Sequence, residues 1–146
     1  MSLNVSEIYR TITTLEAEAA RLRRVAAEAA TVADLMSVGL TLPSEVVVAC
    51  PGIIVEYLRA HPDLVPLVGE MATALVDEFR GEHSQIELVL YQDPEIDDRQ
   101  LTFYVRLPLY NATLIPRLHA VSERVDSLFP PTPDWVLVTT DYRPIQ

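Results

Sequence analysis

The chain has 146 residues, the length of one domain, and 49% of them are hydrophobic while 22% are charged, which predicts a folded globular protein. All 11 basic residues are arginine, and 21 acidic residues bring the formal net charge to -10. This charge disfavours a nucleic-acid partner, because phosphate binding requires clustered cations. There is one cysteine, no apolar run near the roughly 20 residues of a membrane span, and no signal-peptide pattern. We therefore expect a cytoplasmic protein without membrane contact.

A heptad repeat dominates the first 36 residues. Asn4 and Glu7 have the spacing of a capping box, so the pattern predicts one helix over residues 5–36. This helix would be about 48 Å long, longer than a small domain is wide. We expect it to form a homodimer or a dimer of dimers; the alternative is a long amphipathic helix packed on its own domain. The apolar positions alternate four and three residues apart, as in a coiled coil: Ile8, Ile12, Leu15, Ala19, Leu22, Ala26, Ala29, Ala33 and Met36.

Gly39 and Pro43 end the helical pattern. They divide the chain into residues 1–38, the coiled-coil helix, and residues 39–146, an α+β core domain. In the core, the β-branched run at residues 46–49 predicts a short central strand that is buried on both faces.

Two helices follow in the predicted core. Residues 51–58 form a short helix that should break near His61, because the residue before Pro62 disfavours helical geometry. Asp63 can cap the next helix, and Gly81 ends it. The apolar face of this helix consists of Leu64, Leu67, Val68, Met71, Leu75 and Phe79.

Alternating polarity in residues 85–91 and 101–107 predicts an antiparallel hairpin with a long acidic connection. Asn111 or Thr113 should cap a third core helix, and residues 135–138 should form a final strand. The apolar face of that helix is Leu114, Leu118, Val121, Val125 and Leu128.

The order β-α-β-β-α-β predicts a ferredoxin-like split arrangement, an antiparallel sheet with both helices on one face. If the first strand does not form, a three-stranded αββαβ core remains.

A pattern in residues 61–107 resembles small uncharacterised bacterial α+β proteins. It consists of His61-Pro62-Asp63-Leu64, an amphipathic helix ending at Phe79, a strand entering Asp93-Pro94-Glu95, and an alternating return strand. The resemblance implies the order helix, hairpin and helix, and it implies no activity.

No phosphate-binding, nucleophile or zinc motif is present in the sequence, so no enzyme class is indicated and we expect no cofactor. Cys50 precedes Pro51 among apolar residues without an activating base or cation, and we expect a buried structural cysteine. His61, His83 and His119 lack the i, i+3 or i, i+4 spacing that places two ligands on one helix face. We therefore expect no metal.

Acidic residues concentrate in the middle of the chain. Residues 45–98 hold 12 of the 21 acids and only two arginines. Asp93, Glu95, Asp97 and Asp98 fall in one loop, where the alternate acids resemble the start of a calcium loop. The turn glycine and closing glutamate of such a loop are missing. We interpret it as a solvated acidic loop or as a partner-binding surface.

Two hypotheses about function follow. The first is a non-catalytic interaction protein, an oligomer that presents an acidic face to a basic protein, as antitoxins, immunity proteins and adaptors do. The alternative is a small-molecule-binding module or enzyme that uses the sheet face, with Tyr104, Arg106 and His119 as polar candidates. A concave pocket with convergent polar groups on the sheet would favour the alternative. The missing motifs and the net charge favour the first hypothesis.

Overall fold

The computed structural model describes residues 4–95, 97–131 and 136–145. It confirms an α+β fold with a long N-terminal helix and a four-stranded sheet. None of the helices in these ranges has the combined length and apolar character needed to cross a membrane. The elements in chain order are α1 Val5–Met36, β1 Val46–Val48, α2 Pro51–Ala60, α3 Leu64–Glu78, β2 Gln85–Gln92, β3 Arg99–Arg106, α4 Leu114–Asp126 and β4 Leu137–Thr139.

Two compact units make up the chain, Met1–Ala33 and Asp34–Gln146. The predicted division lay five residues later, between residues 38 and 39. The difference arises because the last turn of α1 belongs to the second unit, where Leu35 joins the hydrophobic core.

Local signals define both ends of α1. The backbone amide of Glu7 donates to Oδ1 of Asn4 at 2.8 Å, as expected for an N-cap. At the other end, Gly39 has a φ of +82°, a left-handed conformation that glycine adopts without steric cost. The amide of Gly39 donates to the carbonyl of Met36, and that of Leu40 donates to the carbonyl of Leu35. These two bonds form a Schellman motif, with Leu35 and Leu40 both buried.

The sheet differs from the predicted ferredoxin-like arrangement. Its strand order is β1-β2-β3-β4; β1 and β2 are parallel, β2 and β3 are antiparallel, and β3 and β4 are parallel. In a split arrangement another strand separates the parallel partners, whereas here each helical crossover returns the chain to the adjacent position. The order of elements along the sequence was correct, but that order does not determine which strands become neighbours.

β1 is an edge strand rather than a central one. It pairs only with β2, and Val46 is buried while Val47 is exposed. A β-branched run at a sheet edge is covered by the helices on one face only, which explains why burial on both faces was the wrong expectation.

One face of the sheet and the helices form the core. Strand alternation directs Ile86, Leu88 and Phe103 toward this core, and the register pairs Leu88 with Phe103 and Phe103 with Val138. α3 and α4 contact each other, as expected for helices on one face of a sheet. The largest fully buried side chains include Phe79, Phe103, Ile54, Leu58, Met71, Leu75 and Leu118.

Several predicted details of the helices and of the last strand need correction. Asp63 and Thr113 occupy N-cap positions without a side-chain capping bond, whereas Oδ1 of Asn111, the alternative for α4, accepts the amide of Thr113 at 2.9 Å. Leu128, predicted on the buried face of α4, lies beyond the end of that helix and is 65% exposed. Its amide donates to the carbonyl of Val125 in a turn, so the helix ends before Leu128 and does not direct this side chain toward the core. Trp135, predicted to begin the final strand, lies outside the described residues.

Candidate functional site

The helix α1 carries a seam of exposed apolar side chains. Leu35 is the only buried residue of α1, and the exposed fractions of the large seam residues run from 43% for Ile8 to 66% for Val5. Exposed apolar side chains at heptad spacing make this stripe the candidate interaction surface of α1. We define the α1 seam as Val5, Ile8, Ile12, Leu15, Ala19, Leu22, Ala26, Ala29, Ala33 and Met36.

The second feature is a charged cluster on the sheet face opposite the helices. Tyr104 and Arg106 lie on this face, because alternate residues of β3 face the helices. Arg106 is only 7% exposed, and it forms ion pairs with Glu87 of β2 and with Asp141, which follows β4. We call Arg106, Glu87 and Asp141 the Arg106 cluster.

The guanidinium group of Arg106 donates to both carboxylates. Its Nε and Nη2 atoms donate to Oδ1 and Oδ2 of Asp141 at 3.1 and 2.8 Å, a bidentate geometry that fixes both side chains. Its Nη1 and Nη2 atoms each donate to Oε1 of Glu87 at 3.3 Å. The ring centroid of Tyr104 lies 5.7 Å from the guanidinium carbon. The charge of Arg106 is therefore compensated by two carboxylates of the same chain.

The surroundings of this cluster move the pKa values of Asp141, Arg106 and Tyr104 further from neutral pH. The hydrogen bond from Arg106 is the main cause that lowers the pKa of Asp141, and the same bond is the main cause that raises the pKa of Arg106. Burial raises the pKa of Tyr104, and the carboxylate of Asp141 adds to the rise. A general acid or base works best with a pKa near the operating pH, so these groups are suited to holding the structure together rather than to proton transfer.

Asp141 is held in place by the segment that follows β4. Oδ1 of Asp141 accepts the amide of Arg143 at 3.1 Å, and the hydroxyl of Thr140 accepts the amide of Tyr142 at 3.1 Å. Tyr110 donates its hydroxyl to the carbonyl of Arg143. The rings of Tyr110 and Tyr142 meet edge to face with centroids 5.2 Å apart. These contacts fix the segment that follows β4 to the rest of the second unit.

His119, the third residue of the small-molecule hypothesis, lies away from this cluster. It is exposed on α4, which packs against the helix-covered face of the sheet through its buried residues. The structure therefore brings Tyr104 and Arg106 together and leaves His119 in the helical layer. The three cavities that can be described are lined by other residues.

The acidic loop lies between β2 and β3. Glu95, Asp97 and Asp98 are exposed, and Asp93 is half-buried. Oδ1 of Asp93 accepts the amide of Glu95 at 2.9 Å, and the amide of Asp93 donates to the carbonyl of Asp98 at 3.1 Å. Such bonds stabilise an Asx turn. Within the described residues, no ion pair engages these four carboxylates.

Other acids in the middle of the chain are neutralised by arginines. Nη2 of Arg117 lies 2.7 Å from Oε1 of Glu82, and its Nε lies 3.0 Å from Oε1 of Glu78. The hydrogen bond from Arg117 lowers the pKa of Glu82. The guanidinium carbon also lies 4.5 Å from the ring centroid of Phe79. This contact joins α3 to α4.

The acid-rich stretch of residues 45–98 is consequently not one continuous acidic surface. Glu87 pairs with Arg106, and Glu78 and Glu82 pair with Arg117, and both arginines come from outside the stretch. The acidic loop holds four carboxylates within six residues, whereas the other acids of the stretch without an ion pair among the described residues are spread over residues 45–70.

Cys50 is exposed rather than buried, which corrects the expectation drawn from its apolar sequence neighbours. It lies in the N-cap position of α2 with a φ of 50°, a left-handed conformation at the turn between β1 and α2. Its immediate neighbours Ala49 and Pro51 are half-buried, whereas Cys50 remains exposed at the surface of the turn.

The histidines occupy unrelated positions. Nδ1 of His61 lies 2.9 Å from the carbonyl oxygen of Tyr57, and the two rings stack with centroids 4.2 Å apart, which places the His61 ring at the end of α2. His83 and His119 are exposed. Over the described residues, no group of three or more His, Cys, Asp or Glu side chains could hold a metal ion.

Sequence reasoning missed the Arg106 cluster and the Arg117 contact. Alternation in β3 indicated an outward Arg106, but Asp141 is 35 residues away in sequence, and no local pattern connects the two. No local pattern indicated the Arg117 contact either, because Glu78 ends α3, Glu82 lies beyond that helix, and Arg117 is 39 and 35 residues away from them in sequence.

Comparisons with known proteins do not assign the chain to a family. No protein-family model matches the sequence, and neither the curated proteins nor the solved structures gave a match.

Proposed function

We propose that the protein is a non-catalytic interaction protein that self-associates through the α1 seam and binds a basic protein with its acidic loop. The exposed seam carries the first part of this proposal. Ten seam positions along 32 helical residues expose large side chains such as Ile12, Leu15 and Leu22. Pairing with another helix would remove this apolar surface from water, at a gain of about 25 cal/mol per Å².

The Arg106 cluster argues against the small-molecule alternative. Arg106 and Thr102, which lie on this face on either side of Tyr104, are both buried, so neither side chain is freely accessible to a ligand. The cation is paired with two carboxylates, and recruiting it to a ligand would break a bidentate bond to Asp141.

The acidic loop supports the second part of the proposal. Its four carboxylates are adjacent and unpaired within the described residues, and the whole chain carries a net charge of -10. Charges of one sign on an exposed loop accelerate encounter with a partner of the opposite sign. A basic protein is the partner class that this surface fits.

Self-association is tested by light scattering of the full-length protein at tens of micromolar. The chain mass is 16.3 kDa, and we expect a mass of at least twice that value, because two seams cover each other. A constant mass of one chain across the concentration range would show that α1 does not pair with a second copy and would overturn the proposal.

Neutralising the acidic loop is expected to slow association with a basic protein. The variant combines Asp93→Asn, Glu95→Gln, Asp97→Asn and Asp98→Asn and is compared with the unmodified chain by surface plasmon resonance. The ligand is the basic protein that co-purifies with the chain, and association is measured at several salt concentrations. The association rate should fall and depend less steeply on salt, because fewer charges steer the encounter.

A second variant removes the same net charge elsewhere. It replaces Glu45, Glu56, Asp63 and Glu70 by their amides; these four acids are exposed and make no ion pair within the described residues. Association of this control should remain closer to that of the unmodified chain. Equal slowing of both variants would assign the effect to net charge, and an unchanged rate for the loop variant would exclude the loop as the binding surface.

A further inference from the structure

We propose that the second copy of the chain binds α1 in the antiparallel direction, with the two-fold axis between residues 20 and 21. This inference rests on the self-association proposed above and adds the direction and register of the pair. It follows from the distribution of side-chain size along the α1 seam.

Large residues predominate in the first half of the seam and alanines in the second half. The first positions are Val5, Ile8, Ile12 and Leu15, whereas the second half contains Ala26, Ala29 and Ala33. An antiparallel pair centred between residues 20 and 21 places four of the large residues, all but Val5 and Met36, each against an alanine of the second copy. The layers are Ile8 with Ala33, Ile12 with Ala29, Leu15 with Ala26, Leu22 with Ala19 and, at each end, Val5 with Met36.

A parallel, in-register pair would place identical residues together. Ile8, Ile12 and Leu15 would each meet their own counterparts, while Ala19 and Ala26 would form layers of two alanines. The distance between packed helices depends on the side chains at the contact, so such a pair would be wide at one end and narrow at the other. The antiparallel layers between residues 8 and 33 each contain one large residue and one alanine, so their volumes are nearly equal and allow close packing there; the bulkier Val5 and Met36 layer lies at each end.

Charges beside the seam agree with a second copy as the occupant. In the antiparallel register, Glu16 faces Arg23 of the second copy, and the symmetry of the pair produces this contact twice. Both side chains are exposed and make no ion pair within the described residues. On the other edge, Glu18 faces Val25 of the second copy, so no like charges meet. A parallel pair would match Glu18 with Arg23 instead; charge therefore favours self-pairing, and side-chain size selects its direction.

Distances between spin labels test the direction. Arg10 and Arg24 are exposed and lie on the side of α1 away from the seam. Each is replaced by cysteine in full-length protein carrying Cys50→Ser, because Cys50 is exposed and would also be labelled. At about 1.5 Å per residue, antiparallel pairing separates the two copies of residue 10 by about 32 Å along the axis and those of residue 24 by about 10 Å.

The label distance at residue 10 should therefore clearly exceed the distance at residue 24. Equal distances at both sites in a protein with dimer mass would show parallel pairing and overturn only this inference. A longer distance at residue 24 would overturn the register. A monomer mass without a dipolar signal would overturn the proposed self-association as well, so the two failures are distinguishable.

Discussion

Replacing Ile12 and Leu15 together by aspartate is expected to convert the self-associated protein into a monomer. Each dimer would then carry four carboxylates in an apolar interface, where burying an unpaired charge is strongly unfavourable. A loss of at least about 4 kcal/mol in association free energy corresponds to a dissociation constant raised about 1,000-fold. Sedimentation velocity over a range of concentrations measures this change directly.

The matched control places two aspartates on the same turns of α1 but outside the seam. Thr14→Asp and Ala17→Asp add the same net charge, and both positions are exposed. Because these side chains remain in water, the control should keep the mass of the unmodified protein. Dissociation of the control would instead implicate helix propensity or net charge. A seam variant that still associates would place the interface elsewhere.

The seam variant should also leave the second unit folded. Asp34–Gln146 contains the hydrophobic core, including the last turn of α1 with Leu35. Its near-ultraviolet circular dichroism should therefore match that of the unmodified protein. This readout separates loss of association from loss of folding.

The parts of the fold that the sequence predicted well depend on neighbouring residues. The start of α1 follows from Asn4, whose side chain binds the amide three residues later. Its end follows from Gly39, whose left-handed conformation completes two backbone bonds. The hairpin was also predictable, because alternation in two nearby segments specifies both strands and the face each side chain occupies.

The parts that failed depend on distant residues. β1 was expected in the centre of the sheet because its three valines are apolar, but a strand's position in the sheet is set by the partners it finds. Cys50 has apolar neighbours in sequence, yet the turn that contains it leaves its side chain exposed. Asp141 and Arg106 meet because β4 pairs with β3, a contact that no local pattern contains.

Replacing Arg106 by methionine is expected to lower the free energy of unfolding by about 3 kcal/mol, the lower end of the range for breaking a buried ion pair. The methionine fills part of the space, but it leaves the carboxylates of Glu87 and Asp141 without their shared cation. Each carboxylate is only about a fifth exposed, so water replaces the lost bonds incompletely. The measurement is chemical denaturation at pH 7 in the monomeric seam variant, where unfolding is not coupled to dissociation.

Two further variants identify the origin of this loss. Arg124→Met removes an exposed arginine from α4 that makes no ion pair within the described residues, and it should change stability little. Adding Glu87→Gln and Asp141→Asn to Arg106→Met should recover part of the loss, because the two buried negative charges disappear. Without any recovery, lost packing rather than uncompensated charge would explain the destabilisation.

The same ion pair predicts a dependence on acidic pH. Arg106 holds the pKa of Asp141 below its ordinary value of 3.8, so the folded state binds this proton less readily than the unfolded chain. The stabilisation is complete above the unfolded pKa and is lost as the pH falls toward the folded one. The unfolding free energies of the monomeric seam variant with and without Arg106→Met should therefore differ most near neutral pH, and this difference should shrink below pH 3.8. A difference that stays constant down to the acid-unfolding limit would show that the bidentate bond to Asp141 does not carry the stabilisation.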